Sequence, residues 1–119
     1  MGFKDLRVYQ KAFENSIAIH ELSLTFPQFE QYELGAQMRR ATKSIVLNIA
    51  EGYGKNDSLV DFKRFLTMAL GSNDEVLAQL DYCKELKYIS YEEHVMYAAE
   101  YASIGKMLTT MLQKWKTFN

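Results

Sequence analysis

The chain of 119 residues and 13.8 kDa has room for one compact domain, 1–119, and too little for a second. Its 48% hydrophobic and 24% charged residues exclude a disordered tail, and one Pro with 6 Gly is too few for the tight turns of a sandwich or barrel of short strands. A formal net charge of -1 gives no overall attraction to nucleic acid or to an anionic membrane, so any such binding needs a local patch.

Three punctuation points, Phe26-Pro27-Gln28-Phe29, the run from Gly52 to Asp57, and Tyr88-Ile89-Ser90, divide the chain into four helical segments. In the first, Leu6, Tyr9, Phe13, Ile17, His20 and Leu24 recur in steps of three and four, the spacing of one helix face. A second row, Val8, Ala12, Ile19, Leu22 and Phe26, lies about 140° around the axis at 100° per residue. One stripe suffices for a bundle core, so the surplus points to a homo-oligomer. The second helix is expected from about Tyr32 to Glu51, with Leu34, Met38, Ala41, Ile45 and Ile49 as its apolar row and Gly52 as its stop.

Ser58-Leu59-Val60-Asp61 reads as a capping box that opens the third helix. Its row of Phe62, Leu66, Ala69, Asn73, Val76, Leu80 and Cys83 predicts about 30 residues and roughly 45 Å. Ser90-Tyr91-Glu92-Glu93 repeats the capping signal, and His94, Ala98, Tyr101, Gly105, Leu108, Leu112 and Trp115 carry the fourth helix nearly to the C-terminus. Short connections between helices of similar length predict an all-α, antiparallel up-down-up-down four-helix bundle.

Few residues point to chemistry. A lone cysteine, Cys83, closes no internal disulfide and builds no Cys-rich zinc site, which fits a reducing cytosol; on an apolar row it reads as a small core residue. Neither His20 nor His94 has a Glu three residues before it, which excludes the di-iron carboxylate pattern, and both read as partly buried, hydrogen-bonded histidines. The loop from Gly52 to Ser58 has glycines and a lysine ahead of a helix but lacks phosphate-loop spacing and a preceding strand, so helix stop plus helix start explains it. No catalytic residue, metal site or cofactor is expected. Charges near the N-terminus occupy the place of a secretory signal's apolar run, and the longest such run, Val95 to Ala99, is far below the roughly 20 residues that span a bilayer, so a cytoplasmic protein without membrane contact is expected.

The most unusual stretch runs from Arg39 to Gly52. Ser44, Asn48 and Glu51 stack a polar row beside Ile45 and Ile49, and Gly71, Ser72 and Glu75 offer small and polar positions midway along the third helix. These six read as a structural polar layer that fixes register between helices, with a smaller acid-base possibility at Glu51 and Glu75. Arg39, Arg40 and Lys43 form the densest cationic cluster. On one chain it is a solvated face; repeated around the axis of an oligomer, it could hold phosphates without sequence readout.

Together these residues resemble the bacterial four-helix-bundle family of 23S rRNA intervening-sequence proteins, related to the accessory variability proteins of diversity-generating retroelements. The likeness covers nearly the whole chain. It rests on Phe26-Pro27 followed by Glu30, Leu34 and Gln37, then Arg39-Arg40-Ala41, Ser44-Ile45 and Asn48-Ile49-Ala50-Glu51-Gly52, then Ala69, Gly71-Ser72, Glu75 and Leu80, with Asp5-Leu6-Arg7-Val8 near the start. It implies a homopentamer of antiparallel bundles, RNA or DNA binding through positive surface, and no enzyme activity. Ser44, Asn48, Glu51, Gly71, Ser72 and Glu75 match the family's packing layer, and Arg39 and Arg40 its paired arginines. The retroelement branch contacts a reverse transcriptase through a basic protein, and the slightly acidic balance here argues against that partner. The expected function is a non-enzymatic, homo-oligomeric bundle that binds structured RNA through Arg39, Arg40 and Lys43. The alternative is a protein-interaction scaffold that uses the second stripe of the first helix and exposed tyrosines.

Overall fold

The computed structural model describes residues 2–115, and these are all-helical, with no strand. Four long helices, α1 (Arg7–Ser23), α3 (Leu34–Gly54), α4 (Leu59–Glu85) and α5 (Tyr91–Trp115), are preceded by a 3-10 turn at Phe3–Asp5; the single-turn α2 (Gln28–Gln31) follows Pro27. They form a bundle of 48 × 23 × 21 Å.

Its antiparallel order can be read from side-chain partners. Going forward along α3, Met38 meets Cys83, Ser44 meets Ser72, and Gly52 packs on Phe62 and Phe65, so the partners run backward along α4. The same holds between α4 and α5, where Phe62 meets Trp115, Asn73 meets Tyr101 and Asp81 meets His94. Helix α1 closes the bundle against α3 and α5.

The rows expected on α3 and α4 form the core: Met38, Ala41, Ile45 and Ile49 are buried, as is every member of the row from Phe62 to Cys83. Tyr101, Ile104 and Leu108 complete it from α5. Each such large apolar side chain contributes roughly 1.5–3 kcal/mol on leaving water, before the entropy of ordering it.

Helix α1 departs from the expectation. Its buried row is Val8, Ala12 and Ile19, continued past its end by Phe26, while Phe13 and Ile17 of the first face, and Leu24 just beyond the helix, are 46%, 50% and 54% exposed. The reason lies in the polar residues that fill the gaps of the buried row. Ser16 and Ser23 donate to the carbonyls of Phe13 and His20 within their own helix, so they enter the interior satisfied, and their small size lets α3 approach. His20 is consequently exposed rather than half-buried; His94 is half-buried and its Nε2 lies 2.8 Å from Asp81 Oδ1.

Two helix starts, at Ser58 and Ser90, carry the capping-box signal. At Ser90 both arms are present: Glu93 N donates to Ser90 Oγ (3.0 Å) and Ser90 N to Glu93 Oε1 (2.8 Å). At Ser58 only the hydroxyl arm forms, accepting from Asp61 N at 3.3 Å, because the Asp61 carboxylate turns to Arg64. The other corrected boundary is at Gly52, where α3 does not stop but continues to Gly54.

A polar clasp joins α1 to α5. Glu100 accepts from Lys11 Nζ and Asn15 Nδ2, both at 3.1 Å, and these hydrogen bonds, Asn15 first, hold its carboxyl below the usual range. A lowered folded pKa contributes stability that is present above the unfolded value and lost as pH falls through the folded one. Urea midpoints of the wild type should therefore drop toward those of Glu100→Gln as pH falls below about 5. Parallel pH profiles would refute this role.

Candidate nucleic-acid interface

The middle of α3 turns the cluster Arg39, Arg40 and Lys43 toward different surroundings. A 3.6-residue repeat separates Arg39 from Arg40 by about 100°. Arg39 is not free: its guanidinium donates to Ser23 Oγ and to the Gln31 carbonyl, each at 2.7 Å, pinning the α1–α3 connection to α3. Gly35 makes this possible, since a Cβ there would lie 3.1 Å from Arg39 Nη1 and 3.0 Å from the Glu30 carbonyl. Arg39 is thus a strut in the fold, half-buried and already engaged by two acceptors.

Arg40 and Lys43, three residues apart, are both exposed, and neither forms an ion pair among the described residues. Lys43 borders an open groove of about 280 Å³ between α1 and α3, walled by Phe13, Ile17, His20 and Leu47. Cations beside exposed apolar side chains can engage a polyanion by charge and by contact with unstacked bases.

The expected polar layer resolves into two groups. Ser44 Oγ and Ser72 Oγ are 2.8 Å apart, and Asn48 Nδ2 donates to the Ser44 carbonyl (2.8 Å) and Oγ (3.1 Å), so these three tie α3 to α4. Glu51, Gly71 and Glu75 are exposed, and a Cβ on Gly71 would meet nothing within 4 Å. The close helix approaches occur instead at Gly52, where a Cβ would sit 3.0 Å from Phe65 Cβ, and at Gly105, where it would sit 2.9 Å from Asn73 Nδ2. Only their rows hinted at this: Gly52 follows Ile45 and Ile49 by a further three, and Gly105 lies within the apolar row of α5.

Cys83 is buried with its Sγ 3.4 Å from Met38 Sδ, and burial, aided by the charge of Glu30, pushes its thiol up to about 12. That is the opposite of what activates a cysteine nucleophile. Among the described residues, no three acidic, histidine or cysteine side chains are grouped to hold a metal ion. Among the described residues, no helix is long and apolar enough to cross a membrane.

The bundle closely matches the crystal structure of a protein with unknown function from the S23 ribosomal protein family of Bacteroides thetaiotaomicron, with a TM-score of 0.81 over 89% of this chain and 95% of that one. At 24% identity, that likeness establishes the fold. No curated protein matches the chain. The family described as 23S rRNA-intervening sequence protein matches residues 4–110, from the first turn to the last part of α5. The chain therefore belongs to the 23S rRNA-intervening sequence protein family.

Proposed function

We propose that the protein is a non-enzymatic, cytoplasmic, homo-oligomeric bundle that binds structured RNA through Arg40 and Lys43, with Arg39 positioning their helix. The observation that carries this reading is the exposed Arg40 and Lys43, neither in an ion pair, with Lys43 beside an open groove, in a chain whose family is named for a sequence within 23S rRNA. Assembly into a ring, a homopentamer by resemblance, would repeat the pair around an axis and raise the local field that a net charge of -1 otherwise lacks. The exposed side chains of Phe13, Ile17 and Leu47 favour such self-association. Kinship with the accessory variability proteins of retroelements rests on the Arg39-Arg40-Ala41 and Asn48-to-Gly52 motifs, and the acidic balance disfavours a reverse-transcriptase partner.

Fluorescence anisotropy with a folded 23S rRNA hairpin tests the reading. Affinity should fall steeply between about 50 and about 200 mM salt, and Arg40→Ala should flatten the logarithmic salt slope by about one. Absence of binding at the lower salt, or a slope unchanged in both Arg40→Ala and Lys43→Ala, would refute RNA contact at this face. A second reading, a protein-binding scaffold, is favoured by the same apolar groove; its contacts should barely respond to salt and should be lost in Phe13→Glu.

A further inference from the structure

Two grooves flank α3, and their charges are opposite. The acidic groove, about 520 Å³, lies where α2 and the start of α3 meet α4; Glu30, Glu33 and Glu75 line it, and no lysine, arginine or histidine does. It repels a phosphate chain, so a polyanion that reaches α3 is directed to the α1 side. There the groove of about 280 Å³ is lined by no carboxylate, and its nitrogen-bearing side chains are His20 and Lys43, neither of them in an ion pair among the described residues.

A second feature is independent of the charge. Aromatic rings run along the outer face of α1: Phe3 of the first turn meets Tyr9 edge-on, with centroids 5.0 Å apart, and Tyr9 is stacked with Phe13 at 6.0 Å, their planes 25° apart. Tyr9 and Phe13 both line the α1–α3 groove, so the run ends inside it, on a ring that remains nearly half exposed. An aromatic ring is bound by a further ring laid against it more strongly than by an aliphatic chain covering the same area, and every nucleobase has a face of this kind.

We propose, on the basis of the RNA contact described above, that the α1–α3 groove holds one unpaired nucleotide of the bound RNA, its base stacked on Phe13 and its phosphate on Lys43. The size of the groove agrees. It lies just below the roughly 300–1,000 Å³ of drug-sized ligand sites, which suits a single ring system better than a partner's helix about 10 Å across. The charge agrees as well, because an apolar protein segment would leave the Lys43 ammonium without a counter-ion, whereas a nucleotide brings one with its base. The preferred target is then a loop or bulge rather than an uninterrupted duplex, whose bases already have both faces covered.

Fluorescence titration of the full chain with two RNAs of equal phosphate number, a hairpin carrying a fluorescent purine analogue in its loop and a blunt duplex, tests the site. The hairpin should bind at least about fivefold tighter, and the loop fluorophore should be quenched as it stacks. Phe13→Ala should weaken hairpin binding at least about fivefold and leave the logarithmic salt slope as in the wild type, because it removes a ring and no charge. Phe13→Trp should restore the affinity, which a loss of folding in the alanine variant does not explain. Equal affinity for the two RNAs, or a loop fluorophore that does not respond to binding, overturns the nucleotide pocket and leaves the Arg40 contact standing; no binding of either RNA at low salt overturns that contact too. A sedimentation coefficient that falls in Phe13→Ala makes a second copy of the chain the occupant of the groove and likewise overturns the proposal.

Discussion

Asn73→Asp is expected to destabilise the bundle by about 3–5 kcal/mol at neutral pH, the range for an uncompensated buried charge. Asn73 is 1% exposed in the middle of α4; its Nδ2 donates to the Tyr101 carbonyl at 2.8 Å, and its Oδ1 has no partner. Gly105 opens the slot that receives this amide, since a Cβ there would lie 2.9 Å from Asn73 Nδ2. A carboxylate there would set an acceptor against the carbonyl and place a charge out of reach of water. Both effects disfavour ionisation, so the introduced group's folded pKa rises above its unfolded value near about 3.9. Stability is then retained below the unfolded pKa and lost as pH rises through the folded one. Denaturant midpoints of Asn73→Asp and wild type should lie closest near about pH 4 and diverge toward about pH 7. An equal deficit at both pH values would mean that shape, not charge, is what the slot selects.

Gly52→Leu and Gly54→Ala should move stability in opposite directions, although the two glycines flank the same tyrosine. At Gly52 a Cβ would lie 3.0 Å from Phe65 Cβ and 3.4 Å from the Phe62 carbonyl, atoms held close to the α4 backbone. A leucine must therefore push the helices apart and open the pairing that buries Ile49 and Leu66, costing about 3 kcal/mol, or about 10 °C in melting temperature. At Gly54 nothing lies within 4 Å and φ is not positive, so alanine gains helix propensity of up to about 1 kcal/mol. Thermal melts of the two variants check this pair. If Gly52→Leu melts with the wild type, α3 and α4 do not approach as described.

The contrast at Gly52 also shows what periodicity can and cannot reveal. The rows on α3 and α4 were legible because their positions are almost wholly apolar and one face of each helix is greasy. On α1 both candidate rows were apolar, and the choice between them depended on Asn15, Ser16 and Ser23, polar residues that are buried because local hydrogen bonds satisfy them. Charge clustering located Arg39, Arg40 and Lys43, but a linear cluster does not record that Arg39 would find Ser23 and the Gln31 carbonyl across a turn. The acidic groove left the weakest trace. Its carboxylates come from three segments that only the folded bundle brings together, and along the sequence Glu75 stands with Gly71 and Ser72 rather than with Glu30 and Glu33.

The burial of Cys83 has a practical consequence for following the molecule in solution. Because the sole thiol of the chain is sealed against Met38 and is protonated at ordinary pH, alkylating reagents should modify it only when the helices separate. The native protein therefore carries an internal clock for its own opening, and a fluorophore attached at an engineered surface cysteine would report from a single known place.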